Sequence, residues 1–389
     1  MKLIFGTILF LTCNTTYADN KIDFKGDAFV RGYFKNSTGN DGTQAFNQYF
    51  RLNIDAKPDD NLAIKSGIIL SGNTWEGDNH TTPATANGVD QDGGGGDTIR
   101  LDHASIDYVK NCYSTTIGRV AVTSPGSFLT SDDRRDRFQL LKFVNNGIWA
   151  FIYDKRSEGL LNNGRDDLDM FSISYFGKTT YFKYAVQTGY WTSKTNYSLK
   201  DLKQITPQLE GDWNKIYYKL YYTLLTGGAN NVQSLFPKTH HAAALVLSKE
   251  FGESKLSYQS ILTSHGGLIA GGYDTFSSII NNSPDHHQSS IKLRSIGSGF
   301  GRQVANERIN IIKLAFKINN DFSGSVSAGL ARLYVYAVTA ASSKLENNNV
   351  VDATLKYTIS KNLSLDMAYG KFFRDNKDHA GSLTVNAIF

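Results

Sequence analysis

Cysteine is nearly absent from this chain. Only Cys13 and Cys112 occur in 389 residues, and Cys13 falls within an N-terminal stretch that reads as an export signal. A mature chain left with Cys112 alone has no intramolecular disulfide and no cysteine-based metal site. Proline is scarce too, with six residues, so few points force a break in regular structure. No segment of the mature part reaches the run of about eighteen apolar residues that a membrane-spanning helix needs, which excludes a helical membrane protein. The helical period is itself almost missing. Charge of one sign is also lacking: 41 basic residues stand against 36 acidic ones, a net charge of +5. They are spread evenly rather than blocked, which argues against a nucleic-acid binder.

The first residues are MKLIFGTILFLTCNTTYADN. Lys2 supplies a positive start and Leu3 to Leu11 an apolar core of signal-peptide length. Thr16 and Ala18 are the small residues expected before a cleavage site. The expectation is a signal peptide over 1–18 and an exported mature chain over 19–389. A lipoprotein signal through Cys13 fits poorly with the preceding Phe10-Leu11-Thr12.

What the mature chain does have is alternation. Ile22, Phe24, Ala28, Val30 and Phe34 interleave with Asp23, Lys25, Asp27 and Arg31. Phe46, Phe50, Leu52, Ile54 and Ala56 interleave with Asn47, Arg51, Asn53 and Asp55. Segments 181–191, 216–224 and 351–357 repeat the pattern. Period-two alternation over about ten residues is the signature of a transmembrane barrel strand, though a soluble sandwich shares it. Two features separate these. The polar face carries charges at mid-strand, and short turns alternate with long polar loops. Short turns read PDDN (58–61), KNCY (110–113), NNG (145–147), GKTT (177–180), FGES (251–254), NNDF (319–322) and KNLS (361–364). Long loops cover 72–97, 192–204, 227–239 and about 265–306.

This parity predicts an all-β, transmembrane antiparallel β-barrel of about 18 strands, with 16 possible, in one domain. Expected strands are 22–34, 44–57, 62–71, 98–109, 113–120, 138–144, 148–155, 168–176, 180–191, 205–213, 216–226, 240–250, 255–264, 307–318, 322–336, 350–359, 363–373 and 380–389. Short turns would be periplasmic and long loops extracellular. Parity slips within 98–109 and 322–336 predict bulges. The 265–306 segment could hold a further hairpin. Aromatic residues near strand ends (Tyr33, Phe34, Trp149, Trp191, Trp213, Phe372, Phe373) fit interfacial girdles. The closing GSLTVNAIF, an amphipathic strand ending on Phe389, has the form of an outer-membrane barrel's assembly signal.

A barrel of this width leaves an aqueous lumen. The expected activity is therefore passive diffusion of ions and small hydrophilic solutes across a bacterial outer membrane, and not catalysis. The loop after the fifth strand, about 121–137, is expected to fold inward as the constriction. Asp132, Asp133 and Asp136 would form its acidic side, with Arg134, Arg135 and Arg137 pairing with them or reaching the wall. Arg31, Arg51, Lys65 and Arg119 are the expected pore-wall cations. A ring of charges there would select ions; the alternative is a solvated surface turn whose ion pairs contribute little.

The run IDYVKNCYSTTIGR, the loop, and then FQLLKFVNNGIWAFIYDKRSEG resemble the major outer membrane porins of the Campylobacter type. The matching positions are Gly118-Arg119, closing the fifth strand, and the turn Val144-Asn145-Asn146. The C-terminal KLENNNVVDATLKYTISKNLSLDMAYGKF and DHAGSLTVNAIF are similar to that family's last strands. Substrate-specific channels of pseudomonads, also eighteen-stranded, are a close second. The resemblance implies a homotrimer in contact with outer-membrane lipid and lipopolysaccharide, diffusion of ions and nutrients, and a calcium ion near the constriction. Asp90, Asp92 and Asp97 in DQDGGGGDTIR are weak calcium candidates. That pattern occurs once, whereas calcium-binding glycine repeats work by stacking, so an exposed loop is the expectation there. The histidines lack zinc-site spacing. No convergent Ser–His or Asp–His set supports a barrel hydrolase, and adhesion remains a possible use of the long loops.

Overall fold

The computed structural model describes residues 21–36, 42–71, 99–123, 133–157, 168–193, 200–227, 239–264, 275–280, 305–335, 344–375 and 377–389. Eighteen antiparallel strands form one sheet. They are β1 (Lys21–Asn36), β2 (Thr43–Lys57), β3 (Leu62–Ser71), β4 (Arg100–Lys110), β5 (Tyr113–Val122), β6 (Asp133–Val144), β7 (Gly147–Ser157), β8 (Leu168–Lys178), β9 (Phe182–Ser193), β10 (Lys203–Trp213), β11 (Ile216–Thr226), β12 (His240–Phe251), β13 (Ser254–Ser264), β14 (Ala305–Lys317), β15 (Phe322–Val335), β16 (Lys344–Ser360), β17 (Leu363–Arg374) and β18 (His379–Ile388). Each strand pairs with its neighbours in sequence, and β1 pairs with β18 from Asp27↔Ile388 to Asn36↔His379. The ring is thereby closed and has no free edge.

Turn chemistry fixes one rim. Asn214 and Lys215 both take left-handed backbone conformations, with φ of 50° and 64°, as a two-residue hairpin turn requires. Between β2 and β3, the Asp59 carboxylate accepts from the backbone N–H groups of Asn61 (2.7 Å) and Leu62 (2.9 Å). Asn319 does the same for Asp321 and Phe322 before β15.

The outer wall is apolar and uncovered: Phe24, Ile117, Ile312 and Leu330 are each about half exposed or more, at 64%, 53%, 55% and 48%. An apolar band of this kind has lipid as its solvent. The alternate residues of the same strands face the interior. At the ring closure, Phe389 exchanges backbone hydrogen bonds with Gly26, at 2.7 and 3.0 Å. Its ring lies where a Cβ on Gly26 would stand, 2.1 Å from that position.

The strands expected from sequence all occur, with shifted ends. The largest shifts are in β6, which starts at Asp133 rather than 138, and β16, which starts at Lys344 rather than 350. Both extensions are polar, and a barrel strand reaching past the apolar band can carry polar residues on both faces. The bulge expected in β4 is present: Gly67 opposes His103 and Ile68 opposes Leu101, so Asp102 is the extra residue. The bulge expected in 322–336 is absent, because β15 pairs in unbroken register with β14 and β16. Within 265–306 no further hairpin occurs among the described residues. What is described there is Thr275–Ile280, a non-strand segment inside the barrel.

Candidate functional site

The inner wall of β1 to β7 carries a belt of arginines tied together by aspartates. Arg51 donates from Nε to Asp27 at 2.8 Å and from Nη1 to Asp102 at 3.2 Å. Arg134 reaches the same Asp102 twice, at 2.7 and 3.0 Å. Asp102 can be there because the β4 bulge leaves it unpaired in the register and turned inward beside His103, 3.1 Å away. Gly67 makes room for that imidazole, since a Cβ would come within 2.2 Å of its Cε1. A second knot lies on β6 and β7. Asp154, fully buried, accepts from Arg135 at 3.1 Å and from Arg137 at 2.5 and 2.8 Å. Arg137 also donates to Gln139 at 3.3 Å. Arg31 lies over the Phe29 ring, 4.8 Å from its centroid. Buried, doubly hydrogen-bonded guanidinium–carboxylate geometry holds such side chains in one orientation.

The rest of the inner wall, from β11 round to β1 where it meets the belt, is different. Tyr33, Tyr221, Ile261, Ile309, Val350 and Phe372 form an apolar inner patch on which Ile279 and Ile280 sit. The segment Thr275–Ile280 is pinned by the wall's polar groups. The Phe276 N–H donates to Gln259 at 2.8 Å, the Ser278 N–H to Asp352 at 3.1 Å, and Ser327 donates to the Phe276 carbonyl at 3.0 Å. Gly370 leaves space for Ile279, whose Cγ2 would be 2.5 Å from an added Cβ. The segment's anchors and the belt's Arg51 and Asp154 fall within the sixth to ninth residues from the same rim. Counted from the short-turn end of each strand, Arg51 is the seventh residue of β2, Asp154 the eighth of β7, Gln259 the sixth of β13 and Asp352 the ninth of β16. Gln259 on β13 stands nine strands from Asp102 on β4, while Asp352 on β16 stands three strands from Arg31 on β1. A charged belt and a segment lying against the inner wall therefore occupy the same part of the interior.

The constriction expected at 121–137 divides. Residues 133–137 belong to β6 rather than a loop, because Arg135 and Arg137 alternate inward to Asp154 while Asp136 alternates outward. Asp132 lies outside the described residues, and of Asp133 only its place in β6 is described. Arg134, Arg135 and Arg137 do reach the interior. Among the described contacts their acid partners are Asp102 and Asp154. Arg31, Arg51 and Lys65 line the interior, Lys65 paired with Asp107 at 2.7 Å. Arg119 does not. It shares the outward face with Ile117 and lies opposite Asp136 in the register. The period-two count from Ile117 already places it there. Asp90, Asp92 and Asp97 lie outside the described residues.

No family model and no curated protein matches the sequence. Solved structures match in shape. The outer membrane protein opdK from Pseudomonas aeruginosa has a TM-score of 0.60 at 12% identity, covering 94% of this chain and 98% of that one. OccK2 (OpdF) from the same organism, in complex with glucuronate, has a TM-score of 0.62 at 12% identity, covering 95% and 96%. OccAB4 of Acinetobacter baumannii has a TM-score of 0.60 at 12% identity, covering 94% and 98%. What is shared is the fold. It is a closed eighteen-stranded antiparallel barrel, matched over nearly the whole length of both chains.

Proposed function

We propose that the chain is an outer membrane porin, a water-filled channel through which ions and small hydrophilic solutes diffuse passively. The observation that carries this reading is the arginine belt and the Thr275–Ile280 segment occupying the same part of the closed barrel's interior. Barrels of sixteen to eighteen strands enclose an aqueous path, and charges at its narrowest level decide which ions pass. Arg31, Arg51, Arg134, Arg135 and Arg137 stand against Asp27, Asp102 and Asp154. Among the described residues the belt thus holds five positive charges and three negative ones, and on that excess the reading is a channel that favours anions. An outer-membrane location, a homotrimer and kinship with the Campylobacter-type porins belong to the same reading. The location is supported by the apolar outer wall, and the kinship by the Val144-Asn145-Asn146 turn.

A second reading, a substrate-specific channel, is favoured by one observation. Structures similar in fold were solved as OpdK with vanillate and OccK2 with glucuronate, and both molecules are carboxylates. A belt of guanidiniums is suited to a carboxylate passing along it. Purified protein in a planar bilayer separates the readings. A general porin gives conductance that rises linearly with salt and is indifferent to glucuronate. A specific channel shows block of ion current by millimolar carboxylate. A silent bilayer would remove both.

A further inference from the structure

Charged residues also occur on the outward face, in two places with opposite logic. Across β5 to β8 the register aligns Arg119, Asp136, Lys155 and Asp169 in one row. Signs alternate along it, so every base has an acid as its cross-strand neighbour. On β14 and β15 the corresponding row reads Leu262, Arg308, Arg332, Asn347. Here two arginines stand directly opposite each other, both exposed, and the residues flanking them in the register are uncharged. Directly opposed like charges destabilise a strand pair, and an outward-facing wall at the edge of lipid gives them little help from bulk water. The arrangement makes sense when an anion lies between the two guanidiniums.

The level of the pair identifies the anion. On their own strands Arg308 and Arg332 lie on the long-loop side of the outward apolar residues Ile312 and Leu330, both about half exposed, with Leu262 of β13 level with the pair. The polar residue just below, Asn310, is already engaged by Tyr258 (2.8 Å) and Ser260 (3.0 Å), so it does not compete for a ligand. The pair thus sits at headgroup height on the long-loop side. We propose that Arg308 and Arg332 form a clamp for a phosphate of the outer-leaflet lipid, the phosphorylated disaccharide of lipopolysaccharide. This rests on the outer-membrane reading above. Two planar guanidiniums facing one tetrahedral phosphate can each donate a bidentate pair of hydrogen bonds.

The test titrates detergent-solubilised protein with bisphosphorylated lipid A, its monophosphorylated form, and inorganic phosphate. R308Q/R332Q is expected to weaken binding of bisphosphorylated lipid A at least tenfold, and R308Q or R332Q alone by part of that. R119Q/K155Q, which removes bases that already have acidic neighbours, is expected to leave it unchanged. Inorganic phosphate at millimolar concentration is expected not to displace the lipid. Equal affinity in wild type and R308Q/R332Q overturns the proposal. So does an equal loss in R119Q/K155Q, which would mean diffuse attraction, or displacement by free phosphate, which would mean a site for a soluble anion. Bilayer conductance of R308Q/R332Q is read separately. Loss of lipid binding with conductance retained supports the clamp, while conductance absent from wild type as well would count against the porin reading alone.

Discussion

Replacing Asp154 by Asn should make the channel more anion-selective by a calculable amount. The carboxylate is fully buried between Arg135 and Arg137, at 2.5–3.1 Å from their nitrogens. Asparagine keeps its shape and removes one negative charge, raising the belt's charge by one. An ion passing about 5 Å away in water feels that unit charge as about 0.8 kcal/mol. Screening at about 0.1 M salt, with a Debye length of about 10 Å, reduces this to about 0.5 kcal/mol. The anion gains that amount and the cation loses it. The ratio of anion to cation permeability therefore rises about fivefold by this Coulomb estimate. The zero-current potential across a bilayer in a salt gradient reads the ratio directly. The cost appears elsewhere: two buried guanidiniums lose their shared acceptor, which destabilises the barrel by about 3–5 kcal/mol, visible as a lower urea midpoint. A ratio that is unchanged, or that moves toward cations, would refute the placement of Asp154 at the selective level.

Other outcomes follow from the same geometry. Asp136→Asn should leave selectivity unchanged within error, because that carboxylate is on the outer wall; a shift as large as that from Asp154→Asn would return it to the lumen. Removing Thr275–Ile280, which lies inside the barrel, should raise single-channel conductance by roughly twofold or more, and an unaltered conductance would show that the segment does not limit flow. Ile312→Arg on the outer wall should cost about 2–4 kcal/mol in folding into bilayers, whereas Ser327→Ala on the inner wall should cost about 1 kcal/mol, the worth of one hydrogen bond. Cys112, exposed in the short turn between β4 and β5, should react with a membrane-impermeant maleimide from the short-turn side only.

Much of the barrel was legible because its outer wall obeys one rule. Lipid tolerates only apolar side chains over the central band, so alternation survives in strand after strand, as in β1 and β2. The site was less legible for a specific reason: the inner wall obeys no such rule. In β7 the inward positions Ile148, Ala150 and Ile152 are apolar, so Asp154 stands out from no polar face, and its role exists only through Arg135 and Arg137 of β6. Asp102 is turned inward by a bulge, which a parity slip hints at without naming the residue. Thr275–Ile280 ends in the β-branched pair Ile279-Ile280, which sequence alone reads as strand. Its actual place depends on hydrogen bonds to Gln259, Ser327 and Asp352, 17 to 74 positions away. Arg119 and Asp136 are the reverse case. Period-two alternation from Ile117 and Phe138 puts them outside, although the run of mixed charges around Asp136 has the composition of a lumen-facing loop.

The most direct test of the whole account is the zero-current potential of the purified wild-type protein in a planar bilayer under a tenfold salt gradient. The account predicts stepwise openings in groups of three and a potential whose sign shows anions crossing faster than cations. A conducting channel with cation preference would contradict the arginine-belt constriction, and no conductance at all would contradict the channel itself.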